Sequence, residues 1–201
     1  MKRIYAFDFD GTLTTKDTLI EFIRFSKGSV RLFLGFLLFS PLLILMKLHL
    51  YPNWKTKKRV FSWFFRGVSL DSFNRLCVDF AQQNKQLLRP AGIKKLQQAV
   101  RDKDSIVLII SASVDNWVCP FFDGIDKKIQ VLGTQIETKG GRLTGQFTTK
   151  NCYGQEKVNR LTELYPHREA YELIAFGDSR GDKELLEFAD KGFYKPFRNK
   201  K

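Results

Sequence analysis

The sequence predicts an α/β protein, a doubly wound parallel sheet with a helical cap inserted after the first strand. Three observations carry this reading. Two short apolar segments, Arg3–Phe7 and Glu172–Phe176, each run directly into an acidic turn, Asp8-Phe9-Asp10-Gly11-Thr12 and Gly177-Asp178-Ser179-Arg180-Gly181-Asp182. A third segment, Ser105–Ile110, is a continuous apolar run of the kind buried on both faces of a parallel sheet. Helical patterns separate the strands, and this alternation places a ligand site at the strands' carboxyl ends.

The elements follow in order. Arg3–Phe7 is short and β-prone and stops at the first acids. From about Thr14 to Arg89 the chain is helix-like, basic and aromatic, so residues 14–89 are expected to form the cap and residues 1–13 and 90–201 the core. Pro90 opens a helix that runs to about Val100. Ser105–Ile110 is the second strand. Near Ile129–Thr149, Gly140 and Gly141 tolerate positive φ, and Leu143–Thr148 reads as the return strand of a hairpin. A helix over Gln155–Tyr165, the strand Glu172–Phe176 and a helix over Lys183–Ala189 complete the alternation. The tail Arg198–Lys201 is expected to fray.

With 201 residues, 43% of them hydrophobic, the chain can bury a real core, which excludes collagen-like, disulfide-stapled and wholly disordered readings. Cys77, Cys119 and Cys152 are far apart and form no C-x-x-C pair. They suggest neither a zinc site nor a disulfide framework and fit a reducing, cytosolic setting. The net charge is +13, and Lys16–Arg89 holds 13 basic against 4 acidic residues. Such a field favours an anionic partner: a lipid surface, nucleic acid or a phosphorylated substrate. The sequence holds no recognisable nucleic-acid module, so that partner ranks last.

Leu32–Met46 is 15 residues without a charge, flanked by Arg31 and Lys47. A membrane span needs about 20. The run starts too late for a signal peptide. Pro41 is expected to break it into halves of about 8 residues, each reaching only ~12 Å. If Asp8 and residues beyond 110 share one site, a single crossing is also excluded. A re-entrant or interfacial hairpin and a soluble cap with a greasy core remain. Trp54-Lys55-Thr56-Lys57-Lys58-Arg59 followed by Val60, Phe61, Phe64 and Phe65 suits an interfacial helix, although the aromatics could equally pack the cap. The apolar run and the local charge together favour contact with an anionic membrane.

Asp8 and Asp10, at i and i+2, can bind a divalent cation, or one can attack while the other shuttles a proton. By itself Asp-x-Asp reads as a solvated turn. Three further signals change this. Ser111 stands near the end of the second strand, where a hydroxyl can hold a phosphate oxygen. Lys157 lies near a helix start, where a cation can balance phosphate charge. Asp178 and Asp182 add carboxylates for a hard cation such as Mg²⁺. Each has a duller role: Ser111 and Asp182 as helix caps, Lys157 as a surface lysine. The ordered set is hard to explain as caps.

These motifs resemble those of the haloacid dehalogenase-like superfamily: Asp8-Phe9-Asp10-Gly11-Thr12 its first, Ser111 its second, Lys157 its third and Gly177–Asp182 its fourth. The long insertion after the first motif looks like the phosphoserine-phosphatase-like branch, subfamily IB. Within that branch, Cys152-Tyr153-Gly154-Gln155-Glu156-Lys157-Val158 and the greasy cap are similar to phosphatidylglycerophosphatases of the C type. The resemblance implies that Asp8 attacks phosphorus and Asp10 serves as acid and then base. Ser111 and Lys157 would hold the phosphoryl oxygens. Mg²⁺ would sit on Asp8, the backbone carbonyl of Asp10 and Asp178, with Asp182 direct or through water. It also implies that an acid shortly after the first motif reads the substrate; Asp17 and Glu21 are the candidates, and Asp17 could instead cap a helix. Lys57, Lys58 and Arg59 could meet phosphate head groups or serve solubility. His49 and His167 have no partner pattern.

The sequence therefore points to a Mg²⁺-dependent phosphomonoester hydrolase acting on a lipid-linked phosphate such as phosphatidylglycerophosphate, in the cytoplasm or peripherally on the membrane's inner face. A soluble phosphatase of a small metabolite such as phosphoserine is the alternative. A nucleic-acid binder or polynucleotide end phosphatase ranks lowest.

Overall fold

The computed structural model describes residues 2–48 and 50–198. Five parallel strands form the sheet in the order β3-β2-β1-β6-β7. They are β1 (Lys2–Phe7), β2 (Ser105–Val114), β3 (Ile129–Thr134), β6 (Tyr171–Gly177) and β7 (Lys191–Tyr194). Alternation sorts each central strand between two cores. Tyr5, Phe7, Val107, Ile109, Ile174 and Phe176 face one, and Ile4, Ala6, Leu108, Ile110, Leu173 and Ala175 face the other. Helix α4 (Pro90–Arg101) covers the first side, and α6 (Gln155–Leu164) and α7 (Lys183–Phe188) the second. Both faces being covered, the strands must be apolar throughout.

The inserted segment holds α1 (Thr18–Lys47), α2 (Asn53–Phe65) and α3 (Leu70–Gln83). Its ends meet: Thr14 and Leu88 form an antiparallel bridge, and Arg89 N donates to Leu13 O at 2.7 Å. The helices are joined by aromatic packing. Phe22 lies at the centre, with ring centroids of Phe65, Phe73, Phe80 and Trp117 at 5.3, 5.6, 5.3 and 5.1 Å. Trp117 belongs to the short helix α5 (Asp115–Val118) after β2, so the same cluster ties the insertion to the sheet.

Four expectations are corrected. β2 runs to Val114, four residues beyond the apolar run, so Ser111 lies inside the strand. Ile129–Thr134 is not part of a hairpin; it pairs with β2 as an edge of the main sheet, and the hairpin is β4 (Ile136–Lys139) with β5 (Arg142–Phe147). The short edge strand β7 had no readable apolar signal. Finally, α1 does not break at Pro41. Proline withholds the N–H that Leu37 O would accept, and Ser40 Oγ donates to that carbonyl instead, at 2.8 Å. The bend falls at Gly28, with φ 81° and ψ 161°.

Uninterrupted at Pro41, α1 is long and apolar enough to cross a membrane on length and composition, and only 11% of its most apolar stretch is buried. It is apolar nearly all round beyond Gly28. Leu32 and Gly35 face α2, while Val30, Phe33, Leu37 and Leu38 point outward, with Val30 74% and Leu37 63% exposed. Helix α2 returns alongside and packs on β5. The hairpin thus leaves the body of the protein and comes back to it on one side.

Candidate active site

The acids expected at the sheet's carboxyl edge converge there. Asp8 follows β1, and Asp178 and Asp182 follow β6. Ligand oxygens of the three lie within 4.8 Å of one another. Gly11 makes the approach possible: it has φ 79°, and a side chain there would run into the Asp178 carboxylate. Lys157, at the start of α6 and 1% exposed, joins the cluster. Its Nζ donates to Asp8 Oδ1 at 2.6 Å, Asp182 Oδ1 at 2.6 Å and Ile110 O at 2.8 Å.

The two carboxylates on Lys157 are held differently. Burial would raise both. At Asp182 this is outweighed by Lys157 and by donors from Ser179, whose N and Oγ reach Oδ2 at 3.0 and 2.9 Å, so its carboxyl lies below the usual range. Asp182 is therefore a partner in the turn at Arg180–Asp182, and its side chain does not cap α7. Asp8 has only Lys157 against burial and against the charges of Asp182 and Asp10, and its carboxyl is pushed up to about 7. Burial and Asp182 also raise Asp178. The Lys157 ammonium, which burial would lower, is raised by its two carboxylates.

Three carboxylates face two cations, Lys157 and Arg198, and their ligand atoms are all oxygen. A hard divalent cation such as Mg²⁺ fits this set. Asp10's carboxylate is outside it: Thr18 N and Oγ1 donate to Oδ1 at 2.7 and 2.6 Å, and Ser113 Oγ to Oδ2 at 2.5 Å. These three donors fix the orientation of the Asp10 carboxyl. Ser111 is fully buried; its Oγ accepts Ser113 N at 3.0 Å, and Ala112 forms the adjacent cavity wall.

Asp8 and Asp10 line a cavity of about 500 Å³ whose remaining wall is largely the apolar inner face of α1 and α2. Lys57 reaches into it from α2. Its Nζ donates to Ala112 O at 2.6 Å, and burial lowers its ammonium against the pull of Asp10 and Asp17. A role in solubility is thereby excluded. Lys58 and Arg59 instead lie over the rings of Trp54 and Tyr51. Asp17 both lines the cavity and caps α1, accepting Leu19 N at 2.9 Å. Glu21 pairs with Arg24 at 2.8 Å and lies off the cavity. His167 is exposed, and His49 lies outside the described residues.

Sequence reasoning missed three residues. Ser113 was readable as the i+2 partner of Ser111 on one strand face. Thr18, at the start of α1, and Arg198 carried no signal. Arg198 is not frayed: its Nη2 donates to Asp178 Oδ2, and Phe197 beside it stacks on Phe176 at 5.4 Å. Residues 199–201 of the expected tail lie outside the described residues.

Residues 5–187 match the family model of haloacid dehalogenase-like hydrolases. The protein CicA of Caulobacter vibrioides is 33% identical over 199 residues, which cover 98% of this chain and 87% of CicA. A solved structure of a protein of unknown function from Bordetella pertussis Tohama I has a TM-score of 0.80 at 16% identity, covering 94% of this chain and 88% of that one. A substrate-bound phosphoserine phosphatase has a TM-score of 0.66 at 14% identity, covering 96% and 85%. At these identities the solved structures share the fold.

Proposed function

Because the chain belongs to the haloacid dehalogenase-like hydrolases, we propose that it is a Mg²⁺-dependent phosphomonoesterase working through an aspartyl-phosphate. Its substrate in this reading is a lipid-linked phosphate such as phosphatidylglycerophosphate, met at the cytoplasmic face of an anionic membrane. One observation carries the chemistry: a carboxylate held by a buried lysine and a second held by two hydroxyls stand on the wall of one cavity.

An Asp8 oxygen attacks phosphorus, and the bond from phosphorus to the alcohol oxygen breaks while Asp10 gives that oxygen its proton. Asp10 then takes a proton from water as the water oxygen attacks the aspartyl-phosphate, which releases inorganic phosphate and restores the Asp8 carboxylate. Lys157 orients Asp8 and offsets phosphoryl charge. Ser111, whose Oγ accepts one bond, keeps its own O–H to donate to a phosphoryl oxygen. Mg²⁺ on Asp8, the Asp10 backbone carbonyl and Asp178, with Asp182 direct or through water, would polarise the phosphoryl group. Residues 14–89 act as the cap that selects the substrate.

The lipid reading is supported by the outward apolar face of α1 and by the basic residues beside Trp54 and Tyr51 near the hairpin's tip. Trp54, at the tip end of α2, and Trp63, near its other end, are both about half exposed, as interfacial tryptophans are.

The test is phosphate release with Mg²⁺ from phosphatidylglycerophosphate in mixed micelles against phosphoserine at matched concentration. The lipid should be preferred, and Asp8→Asn should lower turnover at least about 10³-fold without changing the circular dichroism spectrum. Undiminished Mg²⁺-dependent turnover by that variant would remove the aspartyl-phosphate. A preference for phosphoserine would assign a soluble metabolite and make Leu32–Met46 ordinary cap packing.

A further inference from the structure

We propose that the cleft between α1 and α2 is a binding groove for one hydrocarbon chain of the phosphomonoester, so that the enzyme selects its substrate by a single apolar tail drawn into the cap. This rests on the phosphomonoesterase reading above and deepens it.

The groove is continuous with the site. The cavity that holds Asp8 and Asp10 is also lined by Ile23, Leu32, Phe39, Leu43, Val60 and Phe64. On α1 the lining residues from Leu32 to Met46 form one helical stripe, roughly 20 Å long at the helical rise. A tail in one leaflet of a bilayer is ~15 Å, half the hydrocarbon core. The stripe is therefore long enough for one tail. Gly35 sets the spacing: a Cβ there would stand 2.6 Å from the ring of Phe64, so Phe64 lies against bare backbone at the side of the cleft.

A second, independent observation lies where polar wall passes into apolar wall. The face of α2 turned to the cavity carries Thr56 and Lys57, then Val60 and Phe64. Thr56 is 2% exposed, and its Oγ1 has no hydrogen-bond partner among the described residues. A buried hydroxyl left unpaired is costly. The ester or hydroxyl oxygen that joins a phosphate-bearing glycerol to its tail is a polar atom of the kind that would pair it. Lys57, next in the chain, supplies a cation to the same cavity, its Nζ at 2.6 Å from Ala112 O. Phosphate at Asp8, a polar linker at Thr56 and a tail along α1 follow the chemistry of the cavity from one wall to the other.

The test is equilibrium binding of n-alkyl phosphates, ethyl to octyl and below their micellar concentrations, to full-length Asp8→Asn protein with Mg²⁺ by titration calorimetry. A fully buried methylene tightens binding about 4-fold. Octyl phosphate should therefore bind more than about 50-fold tighter than ethyl phosphate even at half that value per methylene. Equal affinities across the series would overturn the groove. The same series on Asp8→Asn with Val60→Trp should lose most of the slope. Because the readout is a ratio within one preparation, a partial folding defect cancels, and an unchanged slope in that variant would equally overturn the assignment. Phosphate release by the wild-type chain across the same alkyl series, octyl phosphate included, tests the parent reading separately. Turnover with a flat binding slope removes only the groove, and a steep slope without turnover removes the phosphatase and leaves the groove standing.

Discussion

The two stretches of α1 on either side of Gly28 are one helix in the chain and two in their commitments. Before the bend, Thr18 holds Asp10 and accepts Trp117 Nε1 at 3.2 Å, and Phe22 and Ile23 are buried in the main core. After it, Leu32 is buried, and Phe33, Leu37 and Leu38 face outward with no described residue over them. The first stretch is fixed by packing, which is why it can hold the Asp10 carboxylate in one orientation. The second is apolar without the burial that normally accounts for apolar residues.

Four sets of substitutions test this contrast. Phe22→Ala should destabilise the protein by about 3–5 kcal/mol in urea melts, because it empties the centre of the aromatic cluster. A loss below about 1 kcal/mol would mean that the first stretch is not anchored as described. Thr18→Val removes one of two donors on Asp10 Oδ1 and the acceptor of Trp117. It should cost about 1–3 kcal/mol of stability and lower kcat about 10-fold or more, read by steady-state kinetics. Gly28→Ala places a side chain at φ 81° and ψ 161° where nothing within 4 Å opposes it, so only backbone strain counts, about 1–3 kcal/mol in urea melts. The paired change Leu37→Lys with Leu38→Lys should leave stability within about 0.5 kcal/mol. It should nonetheless abolish co-sedimentation with anionic vesicles. Vesicle binding equal to wild type would sharpen the contrast in the opposite direction, making the outer stretch inert.

How much of this was readable depends on where each signal is written. Asp8, Lys157, Asp178 and Asp182 could be named because each sits directly after an apolar strand or at a helix start, and the fold brings those four together. The central strands were readable because burial on both faces demands unbroken apolar runs. Edge strands carry no such demand: β7 is exposed along its length, and β3 pairs on one side only. Thr18 and Arg198 act through partners 8 and 20 residues away, contacts that only the tertiary fold creates, whereas Ser113 shares a strand face with Ser111 and only its bond to Asp10, 103 residues away, was hidden. The misread at Pro41 had a local cause. The proline rule is sound, and a neighbouring serine hydroxyl satisfied the carbonyl that the rule leaves orphaned.

The bridge between Thr14 and Leu88 has a consequence for how such a protein can change over time. Entry and exit of the inserted helices are adjacent, stitched by Thr15 N to Leu87 O at 2.8 Å and Arg89 Nε to Thr14 O at 2.9 Å. Seen from the sheet, everything between is a socket of fixed width. The entropy of closing a loop grows only slowly with its length, by about 0.6 kcal/mol per doubling. Helical turns beyond the Phe22 cluster can lengthen or acquire a greasy flank with little penalty to the strands below. The stretch beyond Gly28 is thus free to change on a separate schedule from the residues packed around Asp10.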